Sequence, residues 1–290
     1  AVHFSSQGYQ VQMWDAFTDA LDRARPAIES RLELLVHEGL VGTPVEEMLG
    51  RVSFHEILLD ALAGADLVQE CVPEKLDLKR QTFQQIGAYS PEHAVLASSS
   101  SAIVSSEFAT ATPVRNRVLI AHPGNPPYLI PVIEIVPSVY TSDRTVKTAI
   151  EFYRESGLMP VLVHEEAEGF VFNRLQGAML REAYCLVRDG VISVEGLDQV
   201  VKNGLGRRWA FMGPFETSDL NTQGGISSHA EKMGPAYERM GRERGQNDPW
   251  TSDLVAAVVQ ARRGALPLEE WDNRVLWRDK QLIALKKLLG

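Results

Sequence analysis

The stretch RVLIAHPGNPPYLIPVIEIV, residues 117–136, places two short Val/Ile-rich runs on either side of a segment crowded with Pro, Gly and Asn. RVLIAH (117–122) and the core of PVIEIV (132–136) have strand composition. The intervening HPGNPP cannot extend either strand, because proline lacks the N–H that a sheet ladder needs. A strand, a rigid turn and a returning strand are predicted. Outward from there the same rhythm repeats. Upstream lie AVLAS (94–98) and a serine loop, DLVQEC (66–71) before a helix beginning near Pro73, and YQVQMW (9–14) before an amphipathic helix from Ala16 to about Glu38. Downstream, a helix near Thr145–Ser156 leads to MPVLVH (159–164). Strands alternating with helices, and strands apolar on both faces, predict a doubly wound α/β sheet.

After residue 165 the β signals stop and apolar residues recur at helical spacing. Helices are expected over Gly169–Arg188 and Val194–Lys202, the second capped by Ser193, and around Thr217, Tyr237, Val255 and Leu276. Two domains follow: residues 1–166, a nucleotide-binding α/β domain, and residues 167–290, an all-α domain. A doubly wound dinucleotide domain normally opens with a strand and then G-x-G-x-x-G, and no such motif occurs in this chain. The sequence reading is that the chain as given starts one strand and most of a helix late, about 20 residues by typical βα lengths.

Composition narrows the function classes. A net charge of −9 argues against nucleic acid as the main partner, since phosphate binding needs a clustered basic surface. The two cysteines, Cys71 and Cys185, sit in apolar runs without metal-ligand spacing and read as buried free thiols. No metal site is expected. No run is long enough for a transmembrane helix, and the first residues have no signal-peptide pattern, which makes the cytoplasm the expected compartment.

His122 ends one predicted strand, and Glu134 stands between Ile133 and Ile135 in the next. A carboxylate buried among apolar neighbours needs a partner, and the returning strand brings it near His122. Paired in this way, the imidazole could take a hydroxyl proton at neutral pH. The alternative is a solvent-facing strand-end His and a Glu on an exposed edge. Asp15, closing YQVQMW, is placed either to accept from ribose hydroxyls, favouring NAD over NADP, or simply to cap the next helix. The serine run at 97–106 follows a strand end, where ligands of open α/β sheets bind, although serine loops are also common without function. Asn173 is a polar residue in an otherwise apolar helix entry. Arg207 and Arg208 form a basic point able to hold a carboxylate, or a solvated surface pair. His164 ranks below His122, because Glu165 and Glu166 beside it read as solvent-facing.

Taken together, QECVPEKLDLK (69–79), LASSSSAI (96–103), AHPGNPPYLIPVIEIVP (121–137), EGFVFNRLQ (168–176) and GLGRRWAFMGPFET (204–217) resemble the 3-hydroxyacyl-CoA dehydrogenase superfamily. Within it they are most similar to the L-gulonate 3-dehydrogenase (lambda-crystallin) branch. The resemblance covers nearly the whole chain. It implies a Rossmann domain followed by a helical domain that usually dimerises, and NAD as cofactor. It implies catalytic roles for His122 and Glu134, with Ser101 and Asn173 bonding the reacting oxygen and Asn125 supporting the site. It further implies that Asp15, Glu74 and Lys79 contact NAD and that Arg208 faces the substrate. The implied reaction is oxidation of the 3-hydroxyl of a free, gulonate-like 3-hydroxy acid. A 3-hydroxyacyl-CoA thioester, L-carnitine and a purely structural crystallin role are the alternatives.

Overall fold

The Val/Ile-rich runs become seven strands among the residues that the computed structural model describes, which are 1–245, 251–275, 277 and 288. In chain order, α1 (Val2–Ser6) leads to β1 (Val11–Trp14), α2 (Thr18–His37), α3 (Val45–Gly50), β2 (Val52–His55), α4 (Leu58–Leu62) and β3 (Leu67–Glu70). Then follow α5 (Leu76–Tyr89), β4 (Val95–Ser98), α6 (Ser105–Ala109), β5 (Val118–Pro123), β6 (Val132–Pro137), α7 (Asp143–Glu155) and β7 (Met159–Leu162). One sheet has the order β3-β4-β5-β6-β7, and β1 with β2 makes a second. β1 and β3 each pair on one side only. Every pairing is parallel except β5–β6. The segment between those two strands, residues 124–131, is too short for the crossover a parallel pair requires. The result is a Rossmann-like sheet, followed in the chain, among the described residues, by helices alone.

Both faces of the large sheet are covered, as continuous apolar strands require. On one face Leu96, Val118 and Ile120 pack with Phe83 and Phe108 from α5 and α6. On the other Val95, Ala97, Leu119 and Ala121 pack with Ala149 and Tyr153 from α7. Strand β2 carries too weak a signal in RVSFH (51–55) to have been read from the sequence, since its only apolar positions are Val52 and Phe54.

The chain divides into two compact units, Ala1–Arg181 and Glu182–Gly290. Helix α8 (Phe172–Arg188) begins in the first. It is followed by α9 (Val194–Val200), where the Ser193 hydroxyl accepts from the Gly196 N–H at 3.0 Å. After a π-helical turn at Val201–Leu205 come α10 (Gly206–Trp209), α11 (Pro214–Asn221), α12 (Gly225–Glu243) and α13 (Ser252–Ala265). The helix expected around Leu276 is centred on a position outside the described residues. In the second unit Asp219 is fully buried, accepts from the Ile226 N–H at 2.7 Å, and is ion-paired with Arg262 and Arg263. A buried carboxylate without such partners would be strongly unfavourable.

Both cysteines are free thiols, but neither is buried as the sequence suggested. Cys71 lies just beyond the end of β3, where the chain leaves the sheet, and Cys185 belongs to α8, none of whose residues is buried. Among the described residues no helix is long and apolar enough to cross a membrane.

Candidate active site

Parallel pairing brings the carboxyl ends of β3, β4 and β5 to one edge of the sheet, with Glu70 in register with Ser98. His122 lies at the same edge near the end of β5, and the antiparallel return of β6 sets Glu134 directly opposite it. Cross-strand partners on one face are neighbours. Accordingly His122 Nδ1 lies 2.8 Å from Glu134 Oε2, with both side chains almost fully buried. A carboxylate only accepts, so Nδ1 carries the proton, leaving the Nε2 lone pair available. Nε2 has no hydrogen-bond partner among the described residues.

The second oxygen of Glu134 is also engaged. Oε1 accepts from the backbone N–H of Val171 at 2.8 Å and of Phe172 at 3.0 Å, at the entry to α8. Burial pushes the Glu134 carboxyl up. The hydrogen bonds from His122, Phe172 and Val171 outweigh it and hold the group below the ordinary carboxylate range. Next in the chain, Asn173 donates from Nδ2 to the Ser101 carbonyl at 3.2 Å. Through these contacts His122, Glu134, Ser101 and Asn173 form one connected group. The Ser101 hydroxyl makes no hydrogen bond to another described residue.

A second cluster lies behind the serine loop. The Glu74 carboxylate accepts from the Ser100 hydroxyl and from the N–H groups of Ala102 (3.1 Å) and Ile103 (2.8 Å), fixing the loop that carries Ser101. Partial burial raises the Glu74 carboxyl, but these donors and Lys79 lower it further, so it sits below its ordinary range. Lys79 is 1% exposed, with Nζ 3.2 Å from Glu70 Oε2 and 3.6 Å from Glu74 Oε2. The Ser98 hydroxyl donates to Glu70 at 2.5 Å. Glu70, absent from the sequence-level candidates, is thus the nearest partner of Lys79. Its signal was a carboxylate inside the apolar run DLVQEC.

The remaining candidates lie elsewhere in the chain. Asn125 is exposed in the turn after β5 and makes no hydrogen bond to another described residue. Asp15 follows β1, half-exposed, and accepts from the Phe17 N–H at 2.9 Å. Arg208 belongs to α10 in the second unit and is half-buried. Glu166 is not solvent-facing as read from the sequence. It accepts from the Ser105 hydroxyl at 3.0 Å and the Ser106 N–H at 2.8 Å, capping α6. The apolar pattern carried no trace of that role, because the cap joins residues 60 positions apart. His164 and Glu165 are exposed.

A family model for the 3-hydroxyacyl-CoA dehydrogenase NAD-binding domain matches residues 1–167, and one for the C-terminal domain of the same enzymes matches residues 169–264. The chain belongs to the 3-hydroxyacyl-CoA dehydrogenase family. It is 37% identical over 292 residues to the lambda-crystallin of Oryctolagus cuniculus, covering 99% of this chain and 91% of that one. It is 36% identical over 297 residues to an L-carnitine dehydrogenase of Streptomyces coelicolor, covering 99% and 90%. Among solved structures, an NAD+-dependent dismutase, 5-formyl-3-hydroxy-2-methylpyridine-4-carboxylic acid 5-dehydrogenase, superposes with a TM-score of 0.73 at 28% identity over 100% of this chain and 94% of that one.

As a member of this family, the chain is an NAD-dependent oxidoreductase acting on a CH–OH group. Its own residues fit the cofactor. Asp15 puts a carboxylate at the carboxyl end of a parallel strand, which suits a ribose diol and would repel a 2′-phosphate. The serine loop lies beyond the carboxyl end of β4, on the edge where open α/β sheets bind ligands.

Proposed function

We propose that this family member oxidises the 3-hydroxyl of a free 3-hydroxy acid of the gulonate type, with His122 as general base. The contact that carries the reading is the 2.8 Å bond from His122 Nδ1 to Glu134. It leaves Nε2 free to take the hydroxyl proton, and the ionised Glu134 stabilises the imidazolium that forms. Ser101 and Asn173 hydrogen-bond the reacting oxygen and orient the carbinol carbon. NAD, when bound, supplies the hydride acceptor. Asp15 holds the adenosine ribose, Glu74 and Lys79 shape the cofactor side of the serine loop, and Asn125 supports the turn after His122.

The free-acid reading rests on the likeness to the lambda-crystallin branch and on Arg208, whose guanidinium can grip a carboxylate bidentately. The carnitine dehydrogenase relative makes a quaternary ammonium 3-hydroxy acid the competing substrate, and a 3-hydroxyacyl-CoA thioester is the third. Steady-state rates on L-gulonate, L-carnitine and 3-hydroxybutyryl-CoA are the test. The expected result is the highest kcat/KM on gulonate, falling about 100-fold in Arg208→Ala, as for a lost charge-assisted pair of roughly 2–3 kcal/mol, with thioester oxidation nearly unchanged. A preference for carnitine or the thioester, insensitive to Arg208, would discard the free acid. Absence of turnover on all three, with NAD bound, would favour the structural crystallin role.

The protein acts as a homodimer through its helical region. Supporting this, α8 buries none of its residues and exposes the large apolar side chains of Leu175, Met179, Leu180 and Tyr184. Sedimentation should give the dimer mass, and Leu175→Glu should give the monomer. A native monomer at micromolar concentration would refute the assignment.

A further inference from the structure

The backbone is left-handed twice in succession where the chain enters α8, with φ of 75° at Gly169 and 48° at Phe170. Glycine adopts this freely, but a residue with a Cβ does not. Among the described residues Phe170 is the only non-glycine at positive φ. It is also fully buried, packed with Phe83, Phe108, Val136 and Val163. Burial alone explains an apolar residue here, not this backbone.

The consequence of the turn appears in its next three residues. Val171 and Phe172 direct their N–H groups to Glu134 Oε1 at 2.8 and 3.0 Å, and Asn173 reaches the Ser101 carbonyl. Meanwhile the Phe170 ring lies 5.6 Å from the His122 imidazole, centroid to centroid, at 56°. With Oε1 clamped by two donors, Glu134 cannot rotate without breaking all three of its hydrogen bonds, so Oε2 defines the imidazole plane. We infer that Phe170 is a positioning residue for the reaction: the left-handed turn it completes aims two backbone donors at Glu134, and its ring seats His122. This rests on the assignment of His122 as base.

The test sets backbone against packing. Phe170→Gly keeps the left-handed turn and loses the ring, whereas Phe170→Ile keeps much of the volume and disfavours the turn, because a β-branched residue at positive φ is an outlier. The Gly variant should melt lower than the Ile variant yet turn over faster, with kcat reduced about 10-fold against about 100-fold, a size typical of an ångström-scale misplacement. NAD dissociation constants should match the native value in both. A kcat for Ile equal to or above that for Gly would overturn the inference. Should the Ile variant not fold, Phe170→Ala replaces it. Ala and Gly both lack the ring, so a several-fold higher kcat for Gly supports the turn, and equality or the reverse order overturns it. His122→Gln, run alongside, separates the two failures. If it turns over normally, the base assignment falls. If it is inactive while Ile matches Gly, only the role of Phe170 falls.

Discussion

Replacing His122 by Gln should lower kcat by about 10³-fold while NAD affinity stays within about a factor of two, the usual weight of a positioned general base. Gln is close in size to His and can still donate a hydrogen bond to Glu134, so the buried carboxylate keeps a partner. What it lacks is a basic nitrogen for the hydroxyl proton. A loss confined to kcat is therefore the signature of the missing base, whereas a fold defect would weaken NAD binding and lower the melting temperature as well. Stopped-flow NADH formation together with NAD titration by fluorescence reads both quantities. Near-native turnover in this variant would remove His122 from the chemistry.

Glu134 should show two separable effects. In Glu134→Ala, the Val171 and Phe172 N–H groups and the imidazole all lose their acceptor inside a buried site. Breaking a buried charged network in this way costs about 3 kcal/mol or more, or roughly 5–10 °C in Tm for a chain of this size. Turnover should also fall by about 10³- to 10⁴-fold, as when the orienting acid of a base histidine is lost. In Glu134→Gln the carbonyl can still accept from the two backbone donors while the amide meets Nδ1. That variant should keep most of its stability and lose turnover, because a donor facing Nδ1 selects the wrong tautomer. The pH dependence has a definite sign. The folded-state carboxyl is lowered, so Glu134 contributes stability above its unfolded pKa, and that contribution is lost as pH falls through its lower folded value. Native protein should therefore lose more stability than Glu134→Gln on acidification below the ordinary carboxylate range. Equal acid sensitivity in the two would contradict the network.

The sheet was legible because its evidence is local. AVLAS, RVLIAH and PVIEIV are apolar on both faces, and a Pro-rich turn between two such runs leaves little choice but a return. For His122 and Glu134 the hairpin left two readings open, paired or solvent-facing, and the structure has the paired one. The hidden parts depend on long-range geometry. Nothing in DLVQEC says that Glu70 meets Lys79 from the following helix, or that Glu166 caps α6. The clamp on Glu134 is made by backbone N–H groups, which every non-proline residue carries, so no side-chain pattern announces it. Its one clue was Gly169, a residue suited to the left-handed region just before a helix.

The hairpin that joins β5 to β6 has a further consequence for how the chain assembles. His122 and Glu134 are twelve residues apart, whereas Asn173 and Ser101 are separated by 72. By the logarithmic dependence of loop entropy on length, closing the longer loop costs about 1.6 kcal/mol more. The His122–Glu134 contact is therefore a low-contact-order feature that depends only on the β5–β6 hairpin. The Ser101–Asn173 contact needs the chain around it collapsed first. On the proposed mechanism, catalytic competence would then be completed by the slower, topological contact, which would couple activity to the integrity of the whole first unit.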